Sequence, residues 1–406
     1  MKTRKLITPI LSLLLMAGAL IMGNPVLATA ALFMPNAQTY ALGLSSIDVS
    51  ALTGYAQQMQ KPLISTLVNA MDIKDDILFQ PGVKNTMALP KLKVGKGFKP
   101  YTGTFVNENN ATKYTDRTLT VKVGQRDLLI DPEDYRNKYL AWQAGLGAAA
   151  NNKENQIPFS QYLWNQIVTE LAAEINDQTA FFGFDYTAVI AYNAGTAYSV
   201  GNRMFYTQNG VVKYFECIVA TTAGQTPDTN PTKWNDVSAG AVSPGIKSYL
   251  SAVTGSNAIA TGAITDGATA LTKTTQMYTA IPGAFRKTPM VMHMSYTDSD
   301  FLINGILNTY SKYTKEDLEA GSYYLPLSNK LCLVKPATWM SGSRRIILEP
   351  CDKSGRGQNL IMGVDLLSDI NQIEVIKQAY QLQLAIKFAL GFQISDLEAI
   401  WINDQV

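Results

Sequence analysis

The longest regular apolar pattern runs from Pro158 to Gly183, where Leu163, Ile167, Leu171 and Ile175 recur every four residues. Trp164, Val168 and Ala172 lie beside them. That spacing puts a broad apolar stripe on one face of a helix of about seven turns. Ser160 is the expected N-cap and Gly183 the expected stop. A helix this long, placed before the middle of the chain, can serve as a backbone to which separate layers attach.

Upstream, one helix is expected between Ile47 and Met71, broken or kinked at Pro62. Met87 to Gln125 reads as extended chain, punctuated by Gly95, Gly97, Pro100 and Gly103, with Asn107, Asn109 and Asn110 suited to a hairpin tip. Thr118 to Val123 alternates as a strand should. A long polar hairpin without a core of its own gains stability by lying on something else, often another subunit. Asp131-Pro132-Glu133-Asp134 starts a helix that runs to about Ala144, and Ala148 to Asn155 is a linker.

From Tyr186 to Val242 helical periodicity stops and Gly, Thr, Asn, Tyr and Pro dominate. Short aromatic strands alternate with turns, of which Gln208-Asn209-Gly210 is the clearest hairpin signal. The segment reads as a small β module placed between helical elements. Beyond it, Pro244 to Val253, Asp266 to Ile281 and Asp298 to Tyr310 read as helices. Pro289 to Met294, Arg344 to Leu348, Leu360 to Val364, Gln381 to Phe388 and Ile400 to Ile402 read as strands. In Gln381 to Phe388, Leu382, Leu384, Ile386 and Phe388 alternate with Gln383, Ala385 and Lys387, so one face is buried. Helices packed beside antiparallel strands make the fold class α+β.

Composition narrows the chemistry. Lys plus Arg is 34 and Asp plus Glu 32, a net charge of +2 over 406 residues, without the basic excess of a nucleic-acid-binding domain. The chain has one histidine, His293, set in the apolar run PMVMHMSY and read as a strand residue. With a single histidine, most triads and zinc sites are out of reach. Cys217, Cys332 and Cys351 form no CxxC pair and imply neither a metal knuckle nor a disulfide framework. Lys91, Lys93, Lys96 and Lys99 give the ribbon a basic face, but the GxxxxGK[ST] phosphate-loop spacing is absent. Residues 1 to 31 read like a secretory signal, with a basic start, an apolar run from Leu6 to Met22 and Ala28-Thr29-Ala30 as an A-x-A site. Export and an apolar N-terminal arm both stay open.

Acidic pairs such as Asp75-Asp76 and Asp298/Asp300 suit solvated loops and helix starts better than acid/base dyads. No catalytic residue, cofactor or metal ligand is assigned. The one candidate ligand surface is aromatic: Tyr192, Tyr198, Tyr214 and Trp234, with Tyr206 beside them, rings of the kind that stack on sugars. Tyr198 and Tyr214 read as the module's own core. For Tyr192 and Trp234 exposure and burial both stay open.

Two resemblances follow from these residues. The succession of an N-terminal arm, a long ribbon, RTLTVKVGQRDLLIDPEDY, the helix opening IPFSQYLWNQI, and the late strands RRIILEP, QNLIMGVDLLSDINQIEV and QLQLAIKFALGFQI resembles the major capsid protein of tailed bacteriophages, of Hong Kong 97 type. The signal-like segment at 1–36 departs from that pattern, and the resemblance implies an N-arm at 37–86, an extended loop at 87–125 and a peripheral domain with its spine helix at 126–185. It implies further an axial domain at 243–340 and strands at 341–406 that complete both domains, with the β module at 186–242 standing outside the resemblance. It implies a structural protein, not an enzyme, that assembles as hexamers and pentamers into an icosahedral shell in the host cytoplasm. Its partners would be the portal, other virion proteins and packaged double-stranded DNA held without sequence-specific contact. The module separately resembles small chitin- and cellulose-binding modules at Tyr192, Ala197-Tyr198, Gly201, Tyr214, Pro227 and Trp234, and so implies surface glycans as a partner. Those modules carry Trp where this chain has Tyr192. The rival reading is a secreted carbohydrate-binding protein.

Overall fold

The computed structural model describes residues 60–94, 100, 101, 103, 112–130, 159–318, 321–365, 373–378 and 381–405. The signal-like start, the arm before residue 60, the asparagine-rich hairpin tip, the helix expected from Asp131 and the linker after it lie outside the described residues.

Helix α1 (Gln60–Asn69) carries Pro62 in its first turn, where the missing N–H has no partner to lose, so the expected kink does not arise. Its Leu63, Leu67 and Val68 are buried, and it packs on the long helix α2 (Phe159–Glu174). In α2 the apolar stripe is buried as the spacing requires: Leu163, Trp164, Ile167, Val168, Leu171 and Ala172. Ser160 is not its N-cap, because the helix already includes Phe159. At its far end the helix widens into a π turn, Ile175–Thr179. Gly183 follows for a reason of space rather than handedness: a Cβ there would lie 2.3 Å from the Thr179 carbonyl and 2.4 Å from that of Ser243.

Among the described residues the strands form four sheets. β1 (Leu78–Pro81) begins a five-stranded sheet, β2 (Thr86–Val94) and β3 (Thr112–Thr120) make a two-stranded ribbon, and β4 (Lys122–Ile130) leaves the ribbon for the larger sheet. The expected continuous strand from Thr118 to Val123 is therefore divided at Val121, whose N–H bonds to the Asn85 carbonyl. β5 (Ile190–Ala191), β6 (Arg203–Gln208), β7 (Val211–Cys217) and β8 (Trp234–Asp236) form a sheet of their own. Asn209 (φ 52°) and Gly210 (φ 79°) make the two-residue turn between β6 and β7, the left-handed pair that an Asn-Gly hairpin demands.

Beyond that sheet come β9 (Ala258–Ile259), α3 (Gly267–Ala280), β10 (Met290–Met294) and α4 (Tyr296–Thr309). They are followed by β11 (Tyr323–Tyr324), β12 (Cys332–Pro336), β13 (Ile347–Pro350), β14 (Leu360–Val364), β15 (Ile373–Gln378), β16 (Gln381–Ile394) and β17 (Trp401–Asn403). The six-stranded sheet has the order β11-β12-β10-β13-β17-β9. Its central strand β10 is buried at every position, which is why MVMHM reads as a nearly continuous apolar run. Helices α3 and α4 cover it, capped by Asp266 and Ser295. Their axes approach closely at Gly267 and Gly305, where an added Cβ on Gly305 would stand 2.1 Å from the Gly267 carbonyl. The five-stranded sheet runs β1-β14-β16-β15, with β4 also on β16. The architecture is mixed α+β.

Candidate functional site

The ribbon is organised by its register. Met87 opposes Leu119, Leu89 opposes Arg117, Lys91 opposes Thr115 and Lys93 opposes Lys113, so these eight share one face. Ala88 with Thr118, Pro90 with Asp116, Leu92 with Tyr114 and Val94 with Thr112 share the other.

The first face lies on the chain's own body. Leu89 and Leu119 join Val83, Val121, Ile361 and Ala389 in a small core, with Met87 packed against it. At the root, Gly391 of β16 lets the backbones touch: a Cβ there would be 2.1 Å from the Thr120 carbonyl. Arg117 donates to Gln393 Oε1 at 2.8 Å, and Gln393 donates to the Thr118 carbonyl at 2.7 Å. Lys91 Nζ sits 2.5 Å from Asp396 and 3.1 Å from Glu398, and Lys93 Nζ 2.8 Å from Glu398. The lysines read from the sequence as a basic face are thus, at positions 91 and 93, one half of a clamp.

The eight residues of the second face are all exposed, and three of them are large and apolar: Leu92 is 64% exposed, Val94 68% and Tyr114 65%. Past Lys91 and Thr115 both faces are open to solvent. A two-stranded ribbon is at best marginal alone, and one that shows three large apolar side chains to water is incomplete.

The aromatic candidates lie elsewhere, in the four-stranded sheet. Tyr198 and Trp234 are each 5% exposed and belong to one core with Met204, Phe215 and Cys217. Tyr192 stacks on Tyr198 at 5.6 Å between centroids and meets Trp234 edge-on at 6.3 Å. The polar ends of Tyr198 and Trp234 are satisfied locally, where the Asn193 N–H donates to Tyr198 Oη at 2.7 Å and Trp234 Nε1 donates to the Gln225 carbonyl at 3.1 Å, whereas the buried Tyr192 hydroxyl has no hydrogen-bond partner among the described residues. Tyr214 is on the opposite face of the sheet, half-buried against Phe184, Tyr186 and Phe205. A sheet this small has little apolar filling besides Met204 and Cys217, so its rings pack on one another. Trp234 and Tyr198 present no open face for a sugar.

Sites for covalent or metal chemistry are thin. His293 is fully buried, 3.2 Å from Glu349. The three cysteines are free and buried, and burial raises every thiol pKa, Cys351 to about 11. Among the described residues no three His, Cys, Asp or Glu side chains gather to hold a metal ion, and no helix is long and apolar enough to cross a membrane.

No known protein family matches the chain, and no curated protein does. Solved structures similar to it include the satellite phage P4 procapsid with its size determination (Sid) protein, at 9% identity and a TM-score of 0.43, covering 85% of this chain and 90% of that one. The capsid of Myoviridae phage XM1 is similar at 11% identity and a TM-score of 0.43, covering 82% and 90%. The cyanophage Pam1 capsid asymmetric unit is similar at 10% identity and a TM-score of 0.40, covering 80% and 87%. At TM-scores below 0.5 these likenesses decide nothing by themselves.

Proposed function

We propose that the chain is a shell-forming subunit of a tailed-bacteriophage head, a structural protein whose work is assembly. The observation that carries this reading is the ribbon: one face fixed to its own body, the other bare and apolar. Clamped at its root, the ribbon holds Leu92, Val94 and Tyr114 in one defined direction. Burying a Leu or Val side chain is worth about 1.5–3 kcal/mol, so a neighbouring copy that covers this face completes the ribbon.

In a closed shell each copy gives a ribbon and receives one, and many modest contacts sum. In this reading α2 and the five-stranded sheet belong to a peripheral domain, and the six-stranded sheet with α3 and α4 to an axial one. The subunits group as hexamers and pentamers around double-stranded DNA, together with a portal. The net charge of +2 suits a container that confines DNA without gripping its phosphates. No catalytic step or cofactor enters, and the working location is the virion. The β module at 186–242 is an add-on: replacing residues 188–240 with a short linker leaves assembly intact. Electron microscopy of the purified protein tests the reading, which expects shells or their hexamers and pentamers and fails on a stable monomer.

A further inference from the structure

The ribbon has two edges as well as two faces, and the edges are unlike. In an antiparallel pair, opposed residues alternate between bonding to each other and pointing their N–H and C=O groups away. The Val121 N–H bonds to the Asn85 carbonyl. Counted along the register, the odd-numbered pairs from Met87 with Leu119 to Lys93 with Lys113 therefore bond across the ribbon, and the even-numbered residues point outward. Two observations agree. Pro90, which has no N–H to give, occupies an outward position of β2. The Thr118 carbonyl, outward on β3, accepts from Gln393 at 2.7 Å.

Pro90 thus blocks the middle of the β2 edge, whereas Gln393 covers the β3 edge only at its root. Farther out, the N–H and C=O groups of Thr112, Tyr114 and Asp116 have no partner among the described residues, and all three residues are exposed. No proline or bulge interrupts the row. A row of unpaired donors and acceptors is a template for another strand. The same edge on a second copy fits it. Laid antiparallel about Tyr114, Thr112 faces the other copy's Asp116 and Lys113 faces its Thr115, so a hydroxyl meets each carboxylate and no like charges stand opposite. Such a contact is two-fold and self-complementary, and each copy brings the row that the other lacks.

We propose that two copies of this chain join by their β3 strands, antiparallel about Tyr114, so that two ribbons make one four-stranded sheet. Tyr114 then stands beside its symmetry mate, and the two bare faces become one. This pairing rests on the reading of the chain as a self-assembling subunit and adds a contact through the ribbon's edge, separate from the face.

The test mixes two differently tagged single-cysteine variants, Lys113→Cys and Thr115→Cys, which face each other in the paired strands, and oxidises the assembled protein; the native cysteines are buried and stay silent. A disulfide-linked heterodimer that forms in the mixture and in neither variant alone is the expected result. The companion variants place proline at outward positions, where it removes no bond across the ribbon: Thr112→Pro/Asp116→Pro on the open edge and Ala88→Pro on the edge that Pro90 already blocks. Assembly should be lost in the β3 double variant and kept in Ala88→Pro. Particles that form without the 113–115 link, or equal assembly by the two proline variants, overturn the edge pairing and leave the assembly reading standing. A wild-type protein that forms no particles at all overturns both.

Discussion

Nε2 of His293 lies 3.2 Å from Glu349 Oε1, and both side chains are fully buried. The second carboxylate oxygen of Glu349 accepts the backbone N–H groups of Asn359 at 2.7 Å and Leu360 at 2.9 Å. Those residues open β14, so one carboxylate from the six-stranded sheet fixes the start of a strand in the five-stranded one. Gly357 completes the fit, since a Cβ there would stand 2.1 Å from Glu349 Oε1.

Glu349→Ala leaves the imidazole and two backbone donors buried without their acceptor. The expected loss is about 3–5 kcal/mol, the usual consequence of breaking a buried pair from one side. Urea unfolding followed by circular dichroism measures it, and a midpoint unchanged from wild type would show that the junction does not depend on this carboxylate.

Gly391→Ala attacks the root of the ribbon. The new methyl would meet the Thr120 backbone, which has no rotamer with which to yield. An overpacking loss of about 1–3 kcal/mol is expected, together with faster amide exchange across Thr86–Val94. Exchange rates equal to wild type would place the ribbon's anchor elsewhere.

The lysine clamp gives the ribbon a pH and salt signature. Partial burial opposes the charge on Lys91, but hydrogen bonds to Asp396 and Glu398 outweigh it and hold its pKa above the usual 10.5. Hydrogen bonds from Lys93 and Lys91 hold Glu398 below its usual 4.5. A raised cation contributes below 10.5 and loses that contribution as pH climbs through its folded value; a depressed acid contributes above 4.5 and loses it as pH falls through its own. The clamp is therefore complete between those limits and weakens outside them. Each solvent-facing pair is worth no more than about 1 kcal/mol, and salt at about 1 M shortens the screening length to about 3 Å. Ribbon amides, corrected for intrinsic exchange, should lose protection in high salt and below pH 4.5, and Lys91→Ala/Lys93→Ala should abolish the salt effect. A salt response that survives the double variant would assign it to other charges.

Trp234→Ala removes the largest ring of the four-stranded sheet's core. A cost of about 3–5 kcal/mol is expected for a buried Trp, read as new protease cuts between residues 186 and 242. Cleavage identical to wild type would mean that the rings do not hold this sheet together.

Much of this fold was legible because local periodicity and tertiary burial agree. The four-residue spacing from Leu163 to Leu171, the Asn209-Gly210 turn and the apolar run of β10 each appear in the structure as expected, whereas the helix expected to run on to Gly183 passes into a π turn at Ile175. Other elements turned on partners far away in sequence. Thr118–Val123 divides at Val121 because the chain changes sheets there, which no alternation pattern records. Lys91 and Lys93 look like a free basic face until Asp396 and Glu398 arrive from about 305 residues downstream. The bare face of the ribbon follows from pairing register, and register was set by contacts at Leu89 and Leu119 rather than by the polar sequence between them.

Sedimentation velocity and electron microscopy of the wild-type protein beside Leu92→Asp/Tyr114→Asp test the central claim most directly. Two charges on the bare ribbon face leave the monomer's own contacts untouched, so its thermal unfolding should not change. The account expects closed shells or their capsomers from the wild type and small, unassembled species from the double variant. Equal assembly by both proteins, or a wild type that remains monomeric at every concentration, would contradict it.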